Sequence, residues 1–220
     1  MGQQTQGHFL RLFPLESVVL FPGMQLPLVV FEPRYKQLTQ ECLENNEPFG
    51  VLLLRSGREV GDAESEPYSV GTTAQIERAE ELGDGRLRIM AVGKDRFRVL
   101  SFIRERPYLA AQVAYLPADR GDETPPALLG QVKELCAQYA RAVTSMQGGY
   151  LREVPVPDSP EDISYLAALL LQGQRETQQR LLEMDSTAQR LALESEALPP
   201  AVAEASAEVK RRWSERLHPN

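Results

Sequence analysis

The chain has 220 residues, 42% hydrophobic and 25% charged, which is the balance of a globular protein with one large domain or two small ones. Its net charge of −7 argues against a general affinity for nucleic acid, whose phosphates require a basic surface, though a local basic patch stays open. The polar opening MGQQTQGHF has neither the charged n-region nor the apolar core of a secretory signal, and Gln6 stands where a myristoylation motif needs Ser or Thr, so the expected location is the cytoplasm.

Residues 1–8 read as a flexible tail and Phe9 to Leu15 as a first strand. The run VVLFPGMQLPLVVFEPRY, Val18 to Tyr35, is apolar but broken by Pro22, Gly23, Gln25 and Pro27, short of the roughly 20 apolar residues that a membrane span needs. Pro22-Gly23 suits the central pair of a type II turn, with a short strand on each side burying Val19, Phe21, Leu26, Leu28 and Val30. Pro33 opens a helix with Tyr35, Leu38, Cys42 and Leu43 at helical spacing, and Asn45-Asn46 closes it. Phe49 to Leu54 is a strand buried on both faces, and Gly57 to Glu66 is an acidic loop. Val70, Thr72, Ala74 and Ile76 alternate as a half-buried strand, and Gly83-Asp84-Gly85 marks a turn. Arg86 to Val92 and Arg96 to Phe102 then predict a hairpin around Gly93-Lys94-Asp95, pairing Ile89 with Val99 and Ala91 with Phe97. Tyr108 to Leu116 ends this β-rich region, residues 9–117.

The polar segment 118–124 reads as a linker, and 125–217 as a helical subdomain. Thr124 is placed to cap a helix with the stripe Leu128, Val132, Leu135, Tyr139, Val143 and Met146. Ser159-Pro160-Glu161-Asp162 resembles a capping box before Ile163, Leu166, Leu169 and Leu170. Gln174 to Glu183 continues as helix, Asp185 caps another through Leu193, and Pro199-Pro200 begins a last one near whose end Trp213 serves as a packing anchor. Cys42 and Cys136, far apart and each in a helical pattern, read as buried thiols.

Motifs of catalysis are missing. His8 and His218 lie near the termini, so the body lacks the usual general base. No HExxH, zinc-spaced Cys/His cluster, GxxxxGK[ST] loop or GxSxG elbow occurs, and Lys36, Lys94, Lys133 and Lys210 have no glycine-framed serine to make a dyad. No enzyme, metal or cofactor is expected. Two groups of side chains invite a binding role. In the predicted hairpin Arg86, Arg88, Arg96 and Arg98 share one face and could grip acidic peptides or phosphates, although a solvated stripe neutralised by Glu77, Glu80, Glu81 and Asp84 is the plainer reading. Around the FPG turn, Phe21 reads as core, while Met24 at the tip and Phe31 are candidates for apolar contact, with core packing again the plainer alternative.

The stretch LFPLESVVLFPGMQLPLVVFEPRY, Leu12 to Tyr35, resembles the start of the Lon protease N-terminal domain family, above all its small stand-alone members, in its FPG turn followed by PL-x-x-FEPRY. PFGVLLLR (48–55), YSVGTTAQI (68–76), DGRLRIMAVGKDRFRV (84–99) and PYLAAQVAYLP (107–117) follow in the family's order, and the later helices are similar more weakly. The resemblance implies an α+β chain, a PUA-like β pseudo-barrel followed by a C-terminal helical bundle. It implies a non-catalytic module that binds unfolded or client proteins and peptides, served by a protease system, with ATPase and peptidase in other domains. Ligand sites favour interdomain grooves, and the corner residues Glu32, Arg34 and Tyr35 join Met24 and Phe31 as the candidate peptide site, with a purely structural role for Glu32 and Arg34 as the competing reading. RNA binding through the arginine face is the rival function, because PUA-like folds elsewhere bind RNA.

Overall fold

The computed structural model describes residues 7–56 and 66–217, with side chains placed over 7–55 and 66–212. The first six residues of the expected tail, residues 57–65 of the expected acidic loop, the Trp213 side chain and His218 lie outside the described residues, while Glu66 of that loop belongs to a short strand. The chain divides into two compact units, Met1–Ala118 and Asp119–Asn220.

The first unit holds β1 (His8–Leu15), β2 (Gln25–Val30), α1 (Pro33–Asn45), β3 (Phe49–Ser56), β4 (Glu66–Pro67), β5 (Val70–Glu81), β6 (Leu87–Ile103) and β7 (Ala110–Tyr115). The strands run in the order β1-β7-β6-β5-β3-β4, with β2 on β6, and a parallel β1–β3 pairing closes the path on itself. Closure leaves fewer open edges for stray pairing. It also explains why β3 is buried on both faces: Phe49 and Val51 enter a core with Phe13, Tyr35, Leu38 and Ile89, while Leu52 enters a second with Leu10, Leu12 and Phe97. The α1 helix forms as its sequence predicts. Pro33 sits in its first turn, and Asn46 ends it in the left-handed conformation (φ 52°), donating its N–H to the Cys42 and Leu43 carbonyls.

Two expectations fail in this unit. There is no hairpin at Gly93-Lys94-Asp95: β6 is one strand of 17 residues. It pairs with β5 along both halves, with β2 over Leu87–Val92, and with β7 over Phe97–Ile103. Ile89 therefore faces Leu28 and Ala79, and Phe97 faces Gly71 and Tyr115. The physical reason is the use made of Gly93. The FPG turn presses on it, with Gly23 N–H donating to the Gly93 carbonyl and Gly93 N–H to the Met24 carbonyl, both at 2.9 Å. A Cβ there would lie 2.2 Å from the Phe21 carbonyl oxygen. The glycine marks a close backbone approach and not a reversal. Nor is there a strand before the FPG turn, although Val19, Leu20 and Phe21 are all buried.

The second unit consists of α2 (Pro126–Met146), α3 (Pro160–Leu170), α4 (Arg175–Glu183) and α5 (Thr187–Leu217). Ser159 caps α3 as expected, accepting the Asp162 N–H with Pro160 in the first turn. Thr124 does not cap α2; its hydroxyl is buried without a hydrogen-bond partner among the described residues. The buried face of α2 is turned from the expected stripe and runs through Val132, Cys136, Ala137 and Ala142. At the start of α5 the Ser186 hydroxyl accepts from Gln189 N–H. The expected break at Pro199-Pro200 is absent, since α5 passes through both prolines. Proline forfeits helical hydrogen bonds, but Leu198, Val202 and Ala205 on either side are buried, and that packing carries the helix on.

Candidate functional site

The corner between β2 and α1 is built from local chemistry. Gly23 takes φ 77° and Met24 N–H donates to the Phe21 carbonyl at 3.1 Å, closing the turn that Pro22-Gly23 predicts. β2 then alternates: Leu26 and Val30 point into the core, while Val29 is 45% exposed and Phe31, just past the strand, 55% exposed. The Glu32 carbonyl accepts the first helical hydrogen bonds of α1, from Tyr35 and Lys36. Its carboxylate accepts from Arg34 Nε at 2.9 Å, and the Arg34 guanidinium lies 4.5 Å from the centre of the Tyr35 ring. Tyr35 stacks on Phe13, with ring centres 3.9 Å apart and planes 13° from parallel.

A hollow of about 180 Å³ opens here, lined by Phe13, Leu28, Val29, Val30, Phe31, Glu32 and Tyr35. Of the five residues that sequence selects, Phe31, Glu32 and Tyr35 meet at this hollow. Arg34 stands behind it as the brace of Glu32 and Tyr35, and Met24 packs half-buried against the core instead of standing exposed at the turn tip. Phe13, Leu28 and Val29 join the lining unforeseen, although the alternation of QLPLVVF already sets Val29 and Phe31 on the face opposite Leu26 and Val30. The lining is apolar apart from one carboxylate that is already neutralised. Among the described residues no group of acidic, His and Cys side chains could hold a metal ion.

The four arginines do not gather on one face. Without the hairpin, Arg96 is only 3% exposed and donates to the Pro117 carbonyl, Arg86 lies in the turn before β6 and pairs with Asp84, Arg88 pairs with Glu80, and Arg98 is exposed farther along the strand. Both surface pairs neutralise the positive charge, and exposed pairs of this kind bring little stability.

The hollow falls within residues 10–199, which match the profile of a family described as the ATP-dependent protease La (LON) substrate-binding domain. The chain belongs to this family. It is 30% identical over 202 residues to a Lon protease of Methylocella silvestris, covering 86% of this chain and 24% of that protein. With a Lon protease of Parabacteroides distasonis it shares 28% identity over 145 residues, 64% of this chain and 18% of the other. The LON substrate-binding domain chain thus spans about a quarter or less of the length of these relatives. Among solved structures, a Lon N-terminal domain protein from Xanthomonas campestris is similar with a TM-score of 0.67 and 27% identity, covering 87% of this chain and 99% of that one. The N-terminal domain of Mycobacterium avium complex Lon protease, at a TM-score of 0.60 and 14% identity, covers 90% of this chain and 99% of its own, and shares the fold. Among the described residues of this LON substrate-binding domain, no helix is long and apolar enough to cross a membrane.

In the same LON unit a charged network fastens α1 to β1. Arg11 donates to Glu41 at 2.9 Å and to Glu47 at 2.7 Å, and Tyr108 donates its hydroxyl to the same Glu41 oxygen at 2.5 Å. The Tyr108 hydrogen bond, helped by Gln37 and Arg11, holds the Glu41 carboxyl down to about 2 from an ordinary 4.5. A carboxyl depressed in the folded state stabilises above its unfolded pKa and loses that stabilisation as pH falls through the folded one. Wild-type protein is therefore expected to weaken between pH 4.5 and about 2, and Glu41→Gln to shrink that acid limb, with urea midpoints across this range as the measure.

Proposed function

We propose that this chain is a non-catalytic module that binds unfolded or client proteins and peptides, with the β2–α1 corner as its contact surface. The observation that carries the reading is the hollow itself, walled by Phe31, Leu28, Phe13 and Tyr35, with Phe31 and Val29 exposed beside it inside the segment that matches the substrate-binding family. Exposed apolar side chains around a concavity are what a protein-binding site requires. Glu32 and Arg34 hold the corner in shape. In the finer architecture we read the closed sheet as the PUA-like pseudo-barrel and α2 to α5 as the helical bundle, in a cytoplasmic protein that passes its clients to a protease system. Nucleic acid is not proposed as the ligand, because Arg86, Arg88, Arg96 and Arg98 are dispersed or neutralised.

The test is binding of a permanently unfolded, carboxymethylated protein, followed by fluorescence anisotropy. Phe31→Ser removes an apolar contact of roughly 1.5–3 kcal/mol, so affinity is expected to fall about tenfold or more while the circular dichroism spectrum stays as in wild type. Undiminished affinity in a folded Phe31→Ser protein would remove the corner from consideration. Release of fragments from the unfolded protein would contradict the non-catalytic reading.

A further inference from the structure

How a segment would lie at this corner can be read from the β2 ladder. Among the described residues β2 pairs on one edge, with β6. Gly93 N–H donates to the Met24 carbonyl, and Met24 stands opposite Gly93 in the register that continues from Gln25 opposite Val92. Hydrogen-bonded and non-hydrogen-bonded pairs alternate along an antiparallel ladder. Leu26, Leu28 and Val30 therefore turn their backbone groups to β6, and Gln25, Pro27 and Val29 turn theirs away. Pro27 fits this phase, because its missing N–H removes a donor from the outer edge and none from the ladder. Among the described residues nothing else hydrogen-bonds to the backbone of Gln25, Pro27 or Val29.

Resting on the function proposed above, we propose that the outer edge of β2 takes an extended, uncharged segment of an unfolded protein as an added β-strand, with one of its apolar side chains seated in the hollow. The edge presents carbonyls at Gln25, Pro27 and Val29 and N–H groups at Gln25 and Val29. Their two-residue spacing, about 6.8 Å, is the repeat of an incoming strand. Edges are protected by charged side chains or by proline; β2 (QLPLVV) has no charge, and its one proline removes the donor at position 27 while leaving those at Gln25 and Val29. The hollow sits at the end of this edge, walled by Leu28, Val29, Val30 and Phe31. Its one carboxylate, Glu32, is answered by Arg34 at 2.9 Å, so the hollow holds no unpaired charge for a bound side chain and favours an uncharged one.

The experiment uses the full chain and a short fluorescent peptide that alternates valine and threonine around one phenylalanine. Two further versions carry N-methyl groups on one or the other alternate set of amides, which removes donors without changing side chains. The expected result is that the parent binds, that one methylated version loses about tenfold or more while the other binds as the parent does, and that Val29→Pro weakens the parent similarly. Equal binding of all three peptides overturns the added strand but leaves the corner as a binding surface. No binding of the parent overturns both readings. A dimer in sedimentation that Val29→Pro dissolves, together with exclusion of the peptide, would make a second copy of this chain the occupant and overturn the proposal. The methylated pair decides the matter even if Val29→Pro fails to fold.

Discussion

Replacing Arg190 with alanine is expected to cost the helical unit on the order of 3–5 kcal/mol, because it takes the charged donor from three buried or part-buried oxygens at about 1–3 kcal/mol each. Arg190 is fully buried, and its guanidinium donates to Ser164 Oγ and the Met184 carbonyl at 2.9 Å and to Thr187 Oγ1 at 2.5 Å, with Tyr165 5.0 Å away across the ring face. Thr187 in turn binds Asp119 through both its N–H and its hydroxyl. One side chain thus joins the start of α5 to α3, to the end of α4 and, through Thr187, to Asp119. One turn further on, Glu194 accepts from Ser164 Oγ at 3.3 Å, while its second oxygen is buried without a partner among the described residues. Burial outweighs the nearby Arg190 charge and the Ser164 hydrogen bond, and lifts the Glu194 carboxyl from 4.5 to about 8. Its titratable neighbour Cys136 is pushed up to about 12 by burial and stays a thiol throughout that range.

The sign for Glu194 is opposite to that for Glu41. A carboxyl raised in the folded state contributes stability that is fully present below the unfolded pKa and lost as pH climbs through the folded one. The helical unit should weaken steadily from pH 4.5 to about 8 and then level off. Glu194→Gln, neutral at every pH, should lack that slope. Urea unfolding followed by circular dichroism at both ends of this window measures the difference. Parallel profiles for wild type and Glu194→Gln would mean that the carboxyl is not held neutral.

Gly93→Ala should cost the β unit on the order of 2–4 kcal/mol, as steric changes in a packed interior do. The new Cβ would lie 2.2 Å from the Phe21 carbonyl oxygen and 3.1 Å from its carbon, both backbone atoms that cannot swing aside. Relief requires the FPG turn to lift off β6. That breaks the two 2.9 Å hydrogen bonds to Gly93 and strains the bond from Thr72 Oγ1 to the Leu20 carbonyl, 2.6 Å long. Gly83→Ala is the matched control: a Cβ there meets nothing within 4 Å, so its effect should stay within about 0.5 kcal/mol. Thermal unfolding of the two variants beside wild type gives the answer. Equal midpoints would mean that the turn does not bear on the strand.

The exposure of Phe31 beside β2 follows the alternation written in the sequence, and the turn and the helix start that frame it are legible there too. Those features depend on a residue's own backbone preference or on neighbours a few positions away. Gly23 accepts positive φ, Pro33 needs no N–H at a helix start, and Ser159 reaches the N–H three residues on. The alternation along β2 and the continuous apolar run of β3 are likewise written in the chain, and the motif order made the family legible. The remaining features waited on what comes alongside. Gly93-Lys94-Asp95 has the composition of a turn, yet the FPG segment, some seventy positions earlier, needs the space that the glycine leaves, and the strand runs straight through. Arg96 looks solvent-facing by alternation but is buried and bonded to Pro117, and Phe13, stacked on Tyr35 from a different element, lines the hollow with it. Pro199-Pro200 starts a separate helix on local grounds, and burial of Leu198 and Val202 overrides that by carrying α5 straight through. Local conformational energies are set residue by residue, whereas strand pairing, burial and close backbone approach are set by partners distant in sequence, and only the tertiary structure brings those partners together.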